Sequence, residues 1–148
     1  MKQNSVLLLF VLSLISFVGC KKDSTNPATT QNQLVGNWNP QSATVNGTAT
    51  PVAQALNWVN GAVAARLTIN SNGTFSYSEL DGANAVLYSN SGTYAINGNS
   101  IALTYTAENG QPLNPPVTDT ITWAVAGNQL TTTGTQGGNT IVVVYAKV

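Results

Sequence analysis

The sequence predicts an all-β fold: an eight-stranded antiparallel up-and-down barrel with one short helix between strands 1 and 2. From Val63 onward, apolar and polar residues alternate with the period of two that is typical of half-buried strands. Turns rich in Gly and Asn interrupt this alternation, so the predicted connections are short. Short connections and an even strand count favour closure into a barrel, which removes the sheet edges that a weakly charged β-protein would otherwise expose.

The N-terminus carries an apolar run from Val6 to Val18 after the basic Lys2. This run is shorter than the roughly 20 residues of a membrane-spanning helix and is typical of a secretory signal segment. Its end, Phe17-Val18-Gly19-Cys20, resembles the lipobox of bacterial lipoproteins, in which the cysteine after the cleavage site is acylated. We therefore predict a lipoprotein signal peptide over residues 1–19 and lipid attachment at Cys20. The alternative is an ordinary signal peptide that is cut elsewhere and leaves Cys20 as a spare thiol.

Residues 20–33 are predicted to form a flexible tether, because Ser24 to Gln33 contains no large apolar residue. Directly after Cys20 comes Lys21-Lys22-Asp23, and its Lys-Asp pair is similar to a short tag that sends some Gram-negative lipoproteins to the outer surface. We expect a lipid-anchored protein of the bacterial cell envelope, in the outer membrane and facing the periplasm or the exterior. Residues 34–148 suffice for one domain and are too few for two.

The sequence has nine strand-like segments, which make about eight antiparallel strands. In chain order they are Trp38 to Val45, Val63 to Asn70, Thr74 to Leu80, Ala85 to Tyr88, Thr93 to Ile96, Ser100 to Ala107, Val117 to Val125, Gln129 to Thr133 and Thr140 to Val148. Asn46-Gly47-Thr48 and Asn72-Gly73-Thr74 match the glycosylation pattern. In an exported bacterial chain both are better interpreted as turns.

A short helix is predicted between the first two long strands. Thr50 is a candidate N-cap before Pro51 at the first helical position, and Gly61 stands where a C-terminal glycine is expected. Apolar residues recur at helical spacing at Val52, Leu56 and Val59. The helix could be a lid over one mouth of the barrel, with Leu56 and Trp58 in the gate, or a plug that completes the core.

The start of the domain, Leu34-Val35-Gly36-Asn37-Trp38, resembles the first strand of lipocalins and their calycin relatives. A Gly-Thr-aromatic motif occurs twice, at Gly73-Thr74-Phe75 and at Gly92-Thr93-Tyr94. It is similar to a motif that recurs after turns in lipocalin-like domains of bacterial lipoproteins. The resemblance implies that Gly36 and Trp38 help to close the barrel floor, with Lys147 of the last strand packed on the Trp38 ring. It also implies binding of a small apolar ligand.

Strand alternation predicts which side chains face the barrel interior. The candidate pocket residues are Leu67, Ile69, Phe75, Tyr77, Tyr94, Ile101, Leu103, Tyr105, Ile121 and Trp123. Arg66 has the outward parity of its strand and Lys147 is assigned to Trp38, so no cation is left to meet an anionic ligand. The sequence therefore favours a neutral or cationic ligand. Strands of seven or eight residues also predict a shallow barrel whose side chains could fill the interior.

Several function classes are excluded or disfavoured. The domain has two cations against four acids and no basic patch, which argues against nucleic-acid binding. It has no His and no Cys, so Ser-His-Asp or Cys-His catalysis and zinc sites that need imidazole or thiolate are excluded. Glu79 and Asp119 have the inward parity of their strands and could form a glycosidase pair, but a solvent-facing position at strand ends is favoured. We expect a monomer with no catalysis, metal or cofactor.

Two function classes remain. The first is a membrane-anchored barrel that binds a small apolar molecule. The second is a ligandless interaction module that contacts a protein or glycan through its Thr- and Asn-rich wall, or that inhibits an exported enzyme. An interior cavity of about 300 Å³ or more would favour binding, and a filled interior would favour the module.

Overall fold

The computed structural model describes residues 27–148. Its elements are α1 (Pro27–Leu34), β1 (Gly36–Val45), β2 (Thr48–Thr50), α2 (Val52–Ala55), β3 (Ala64–Ile69), β4 (Thr74–Leu80), β5 (Val86–Asn97), β6 (Ser100–Glu108), β7 (Gln111–Ala126), β8 (Gln129–Gln136) and β9 (Asn139–Lys147). The predicted signal peptide and Cys20 lie outside the described residues. No helix within residues 27–148 is long and apolar enough to cross a membrane.

The strands form one closed antiparallel barrel, which confirms the predicted fold class. Strand β1 and strands β3 to β9 follow one another around the barrel, and β9 pairs with β1 to close it. The short β2 pairs only with the end of β1, where Ala43 faces Thr50. The start of β1 pairs with β3, from Gly36 opposite Ile69 to Trp38 opposite Leu67. The far ends of β1 and β3 therefore diverge, and β2 and α2 occupy the space beside β1.

Strands β5 and β7 are much longer than the sequence predicts. The segments Ala85 to Tyr88 and Thr93 to Ile96, predicted as separate strands, belong to the single strand β5 of 12 residues. Strand β7 begins at Gln111 rather than Val117 and has 16 residues. Its pairing with β6 is interrupted between Tyr105 and Ala107, where several residues of β7 form a bulge. These long strands make the barrel deeper than the shallow one that was predicted.

The helices also differ in detail from the prediction. Helix α2 follows β2 and has only 4 residues, and its N-cap is Pro51 rather than Thr50. The helix ends early because Asn57 adopts a left-handed conformation with φ of 54°. Helix α1 covers the end of the predicted tether, and its Gln31 side chain donates hydrogen bonds to the Ser71 carbonyl and the Tyr94 hydroxyl. The chain before β1 is thus attached to the barrel.

The barrel has two different ends. The end that carries α1 and the β3–β4, β5–β6 and β7–β8 turns is called the floor here, and the opposite end is called the mouth. The floor contains most of the packed apolar core, which includes Leu34, Trp38, Ile69, Ile101, Trp123 and Leu130. The mouth carries α2 and the β4–β5, β6–β7 and β8–β9 turns.

Candidate functional site

The barrel interior contains a cavity of about 990 Å³ that reaches from the floor to the mouth. The prediction that side chains could fill the interior is therefore wrong. One reason is that the lining includes the small or polar residues Asn90, Thr132 and Gly134. The other is the length of β5 and β7, whose walls extend the interior beyond the packed core.

The apolar part of the lining contains residues that the sequence predicted for the pocket. Those that line the cavity are Leu67, Phe75, Tyr77, Leu103, Tyr105 and Ile121. The Phe75 and Tyr105 rings meet edge to face, with centroids 5.3 Å apart and an interplanar angle of 86°. This geometry is favourable for aromatic pairs, because the positive edge of one ring meets the negative face of the other.

The other predicted pocket residues, Ile69, Tyr94, Ile101 and Trp123, do not line the cavity; they belong to or pack against the floor core. They share the inward face of their strands with the lining residues but lie nearer the floor. There the barrel is filled by large side chains. The alternation of residues along a strand therefore predicts which side chains face inward. It does not predict which of them belong to the packed core and which line the cavity.

The floor is closed by Trp38, whose side chain is completely buried. Its ring N–H donates a hydrogen bond of 2.7 Å to the Leu34 carbonyl, and the Lys147 ammonium lies 5.1 Å from the ring centroid. A Cβ at Gly36 would lie 2.6 Å from the Lys147 side chain, and the φ of Gly36 is +144°. Glycine at this position therefore leaves the space that Lys147 needs to lie over the Trp38 ring.

The α2–β3 loop, residues 56–63, borders the cavity at the mouth. Leu56, Asn57 and Val59 contribute to the lining, and Trp58 is half-buried with a ring N–H that has no hydrogen-bond partner. The Val59 backbone N–H donates a hydrogen bond of 2.7 Å to Oε2 of Glu79 on β4. The loop is thus fixed to the barrel wall by a carboxylate and leaves the cavity beneath it open.

One side of the cavity, formed by β4 and β5, is polar. Its four residues, called the polar wall here, are Tyr77 and Glu79 on β4 and Tyr88 and Asn90 on β5. The strand register places Tyr77 opposite Asn90 and Glu79 opposite Tyr88. The Tyr77 hydroxyl and Oδ1 of Asn90 are buried and have no hydrogen-bond partner. The Tyr88 hydroxyl donates a hydrogen bond of 2.8 Å to Glu108.

Glu79 does not face bulk solvent as the sequence analysis favoured, because only 4% of its surface is exposed. The α2–β3 loop covers it, and no pattern in the sequence indicates that this loop lies over the end of β4. Asp119 is exposed and also borders the cavity, on β7. Among residues 27–148, no cluster of His, Cys, Asp or Glu could hold a metal ion.

The phenols of the cavity stay neutral at physiological pH. Burial raises the pKa of Tyr105 and of Tyr145 to about 12. Burial also raises the pKa of Tyr77 strongly, the nearby Glu79 carboxylate adds to this rise, and the Trp58 side chain opposes it. A phenol with a raised pKa keeps its proton and remains both a donor and an acceptor of hydrogen bonds.

The charged groups that border the cavity are all acids: Glu79, Glu108 and Asp119. The cations within residues 31–148 lie elsewhere. Arg66 is exposed, and its strand pairs with β4 without a bulge, so its side chain is on the outer face of the barrel. Lys147 lies over Trp38 at the floor. The cavity therefore has negative groups and no positive one among the described residues.

Several lining residues were missed in the sequence analysis. Leu113 lies within the bulged part of β7, which was not predicted as strand, and Val117 begins the predicted strand but was not assigned to the pocket. Thr132 and Asn90 are polar, so they were not assigned to an inward face. Tyr145 could have been identified from the alternation of the last strand, where Val143 and Tyr145 share the buried parity.

A comparison with family models identifies the fold independently of the geometry. Residues 34–118 match the model of the lipocalin-like domain, which covers more than half of the chain. The match ends within β7, so the remaining strands that close the barrel against β1 lie beyond it. No curated protein sequence matches the chain. From the family match and the closed barrel we conclude that the chain belongs to the family of lipocalin-like domains.

Proposed function

We propose that this protein is a membrane-anchored binding protein that holds a small apolar molecule, neutral or cationic, in the cavity of its barrel. The observation that carries this proposal is the cavity of about 990 Å³, which is open at the mouth and has aromatic and aliphatic walls. Cavities for small molecules usually have volumes of roughly 300 to 1,000 Å³ and such apolar linings. Lipocalin-like domains typically bind ligands and do not typically catalyse reactions, so we propose no catalytic role.

The charge of the cavity favours neutral and cationic ligands over anionic ones. A fatty-acid carboxylate inside would meet the acids Glu79, Glu108 and Asp119 and no cation. Burying an anion without a partner costs several kcal/mol, and a loss of about 8 kcal/mol would erase a micromolar affinity. The alcohol of the same chain length avoids this cost because the Tyr77 hydroxyl or Asn90 can form hydrogen bonds with it.

The proposal predicts that dodecanol binds the domain at least about tenfold more tightly than dodecanoate at neutral pH, since one unpaired buried charge costs more than this ratio. Titration of tryptophan fluorescence measures both affinities, because Trp58 lies beside the cavity mouth. Arg66→Gln is the matched control and should leave the ratio unchanged, because Arg66 is on the outer face. Tighter binding of dodecanoate would contradict the proposed preference.

The interaction module remains the competing function. Contact with a protein or glycan through the outer wall of the barrel requires no cavity. The open interior is therefore an observation that the interaction module does not explain. If neither dodecanol nor dodecanoate binds, the module becomes the better proposal. Native mass spectrometry of the purified domain adds an independent test, because a ligand that is carried through purification appears as added mass.

The membrane anchor is the second part of the proposal. It rests on the lipobox-like segment that ends at Cys20, with the anchored domain placed in the cell envelope, in the outer membrane, as a monomer. The attachment of α1 to the barrel floor through Gln31 would leave residues 20–26 as the spacer between lipid and domain.

Cys20→Ala is expected to abolish lipidation and release the protein from the membrane fraction, while the domain still folds. The reason is that thioether and acyl groups need the Cys20 sulfur and amine, whereas the barrel core contains no cysteine. Incorporation of radiolabelled palmitate and membrane fractionation measure the effect, and the circular dichroism spectrum checks the fold. Palmitate that enters the variant as well as the wild type would overturn the assignment of Cys20.

A further inference from the structure

We propose that Glu79 is the counterion for a protonated amine, so that the ligand class of this cavity is an apolar molecule with one ammonium group. This inference rests on the proposed function, because it requires that the cavity binds a small molecule. It narrows that function from neutral or cationic ligands to cationic ones and assigns the residue that recognises the charge.

The first argument is the unbalanced charge of Glu79. Its side chain is almost fully buried, and one hydrogen bond, from the Val59 N–H to Oε2, is the only one it receives within the described part of the chain. Neither Arg66 on the outer face nor Lys147 at the floor can reach it. A buried carboxylate is stable when a cation and further hydrogen bonds balance it. A ligand that brings a cation to Oε1 would supply both.

The second argument is the set of acceptors beside Glu79. An ammonium group has three N–H donors and no acceptor, so a site that binds it well offers several oxygen atoms. Oδ1 of Asn90 and the Tyr77 hydroxyl are buried on the same wall and make no hydrogen bond. The β4–β5 register brings Asn90 opposite Tyr77, two residues from Glu79 on the same face. The polar wall thus provides a charged acceptor and two neutral acceptors, with the Trp58 side chain also close to the Tyr77 hydroxyl.

The third argument is that the site is preorganised. Folding has already removed most water from the Glu79 carboxylate, so binding would require the desolvation of the ligand alone. The strand pairing and the Val59 N–H hold the carboxylate from two sides. An ammonium at this position lets the rest of the ligand lie along the apolar residues that flank the polar wall, Leu67 on β3 and Leu103 on β6.

The experiment compares decylamine with decanol at neutral pH, in the wild type and in Glu79→Gln, by isothermal titration calorimetry. The two probes have equal chain lengths, and only decylamine carries a charge. We expect decylamine to bind the wild type at least about tenfold more tightly than decanol, in line with the coupling of close charge pairs at interfaces. In Glu79→Gln this advantage should disappear, while the affinity for decanol stays within about threefold. The amide oxygen of the introduced glutamine can still accept the Val59 hydrogen bond, so the α2–β3 loop keeps its anchor.

Asp81→Asn is the control for net charge. It removes one negative charge, as Glu79→Gln does, but Asp81 does not line the cavity, and the amide oxygen of the variant can still accept the turn hydrogen bonds from the Ala83 and Ala85 N–H groups. We expect it to weaken decylamine binding by less than about threefold. The urea midpoint of each variant checks that the fold is retained.

The outcomes separate this inference from the proposed function. If decanol binds and decylamine binds no more tightly, the counterion role of Glu79 is wrong and the apolar cavity function stands. If Glu79→Gln weakens both probes equally, Glu79 acts through the loop and not through its charge, which also overturns the inference. Failure of both probes to bind the wild type would instead contradict the proposed function itself.

Discussion

Trp38→Ala is expected to lower the free energy of unfolding by about 3 to 5 kcal/mol, which is the usual cost of removing a large aromatic side chain from a packed core. The ring is completely buried in the floor and its N–H is bonded to the Leu34 carbonyl, so the variant loses packing and a hydrogen bond together. It also removes the ring on which Lys147 lies, a contact worth about 0.5 to 2 kcal/mol.

Urea unfolding followed by circular dichroism measures this effect. Trp38→Phe is the matched variant: it keeps an aromatic ring under Lys147 and loses the N–H donor. We expect it to cost about 1 to 2 kcal/mol, because the Leu34 carbonyl loses its side-chain donor and a small cavity remains. An unchanged urea midpoint for Trp38→Ala would show that the floor does not contribute to stability as its burial indicates.

The floor was the part of the molecule that sequence reasoning described best. Strands packed on a dry core must alternate apolar and polar residues, and β6 does so over Ser100 to Ala107, close to its observed range Ser100–Glu108. The floor turns Asn72-Gly73 and Asn97-Gly98 have the residues that tight hairpins require, and Gly73 and Gly98 have positive φ. Local chemistry was sufficient to place these strands and their inward faces.

The mouth was described less well, because its interior is a cavity and not a packed core. Along β5, Ser89 to Gly92 has the composition of a polar turn, yet Asn90 faces inward and Gly92 is buried. Inward polar residues are tolerated there because a cavity does not require apolar packing on every side. The period-two pattern therefore fails where the interior stops being dry, which is where the candidate site lies.

The burial of Glu79 could not be predicted for a related reason. Its inward parity was visible in the sequence, but its exposure depends on the α2–β3 loop, which follows the end of α2 at Ala55 and passes over β4. The path of that loop depends on the divergence of β1 from β3. This is a property of the closed sheet and not of any local sequence pattern.

At Gly92, the backbones of β5 and β6 approach each other closely. A Cβ at Gly92 would lie 1.9 Å from the Thr104 carbonyl oxygen and 3.0 Å from the Tyr105 Cα. Both neighbours are backbone atoms of the paired strand, so a side chain at residue 92 cannot be accommodated by rotation of another side chain. The register of the two strands shifts between Ser91 and Gly92, and the bulge at this position depends on the close approach.

Gly92→Ala is therefore expected to lower the free energy of unfolding by about 1 to 3 kcal/mol or more, because the β5 and β6 backbones must separate to admit one methyl group. Gly82→Ala is the matched control: a Cβ at Gly82 meets no atom within 4 Å and its φ lies outside the left-handed region. We expect the control to stay within about 0.5 kcal/mol of the wild type. Urea midpoints of the two variants measure the difference.

Because Tyr105 lines the cavity beside the bulge, the Gly92 variant should also bind decanol more weakly. Equal midpoints for the two variants would mean that the strands do not approach as closely as the β5–β6 register requires.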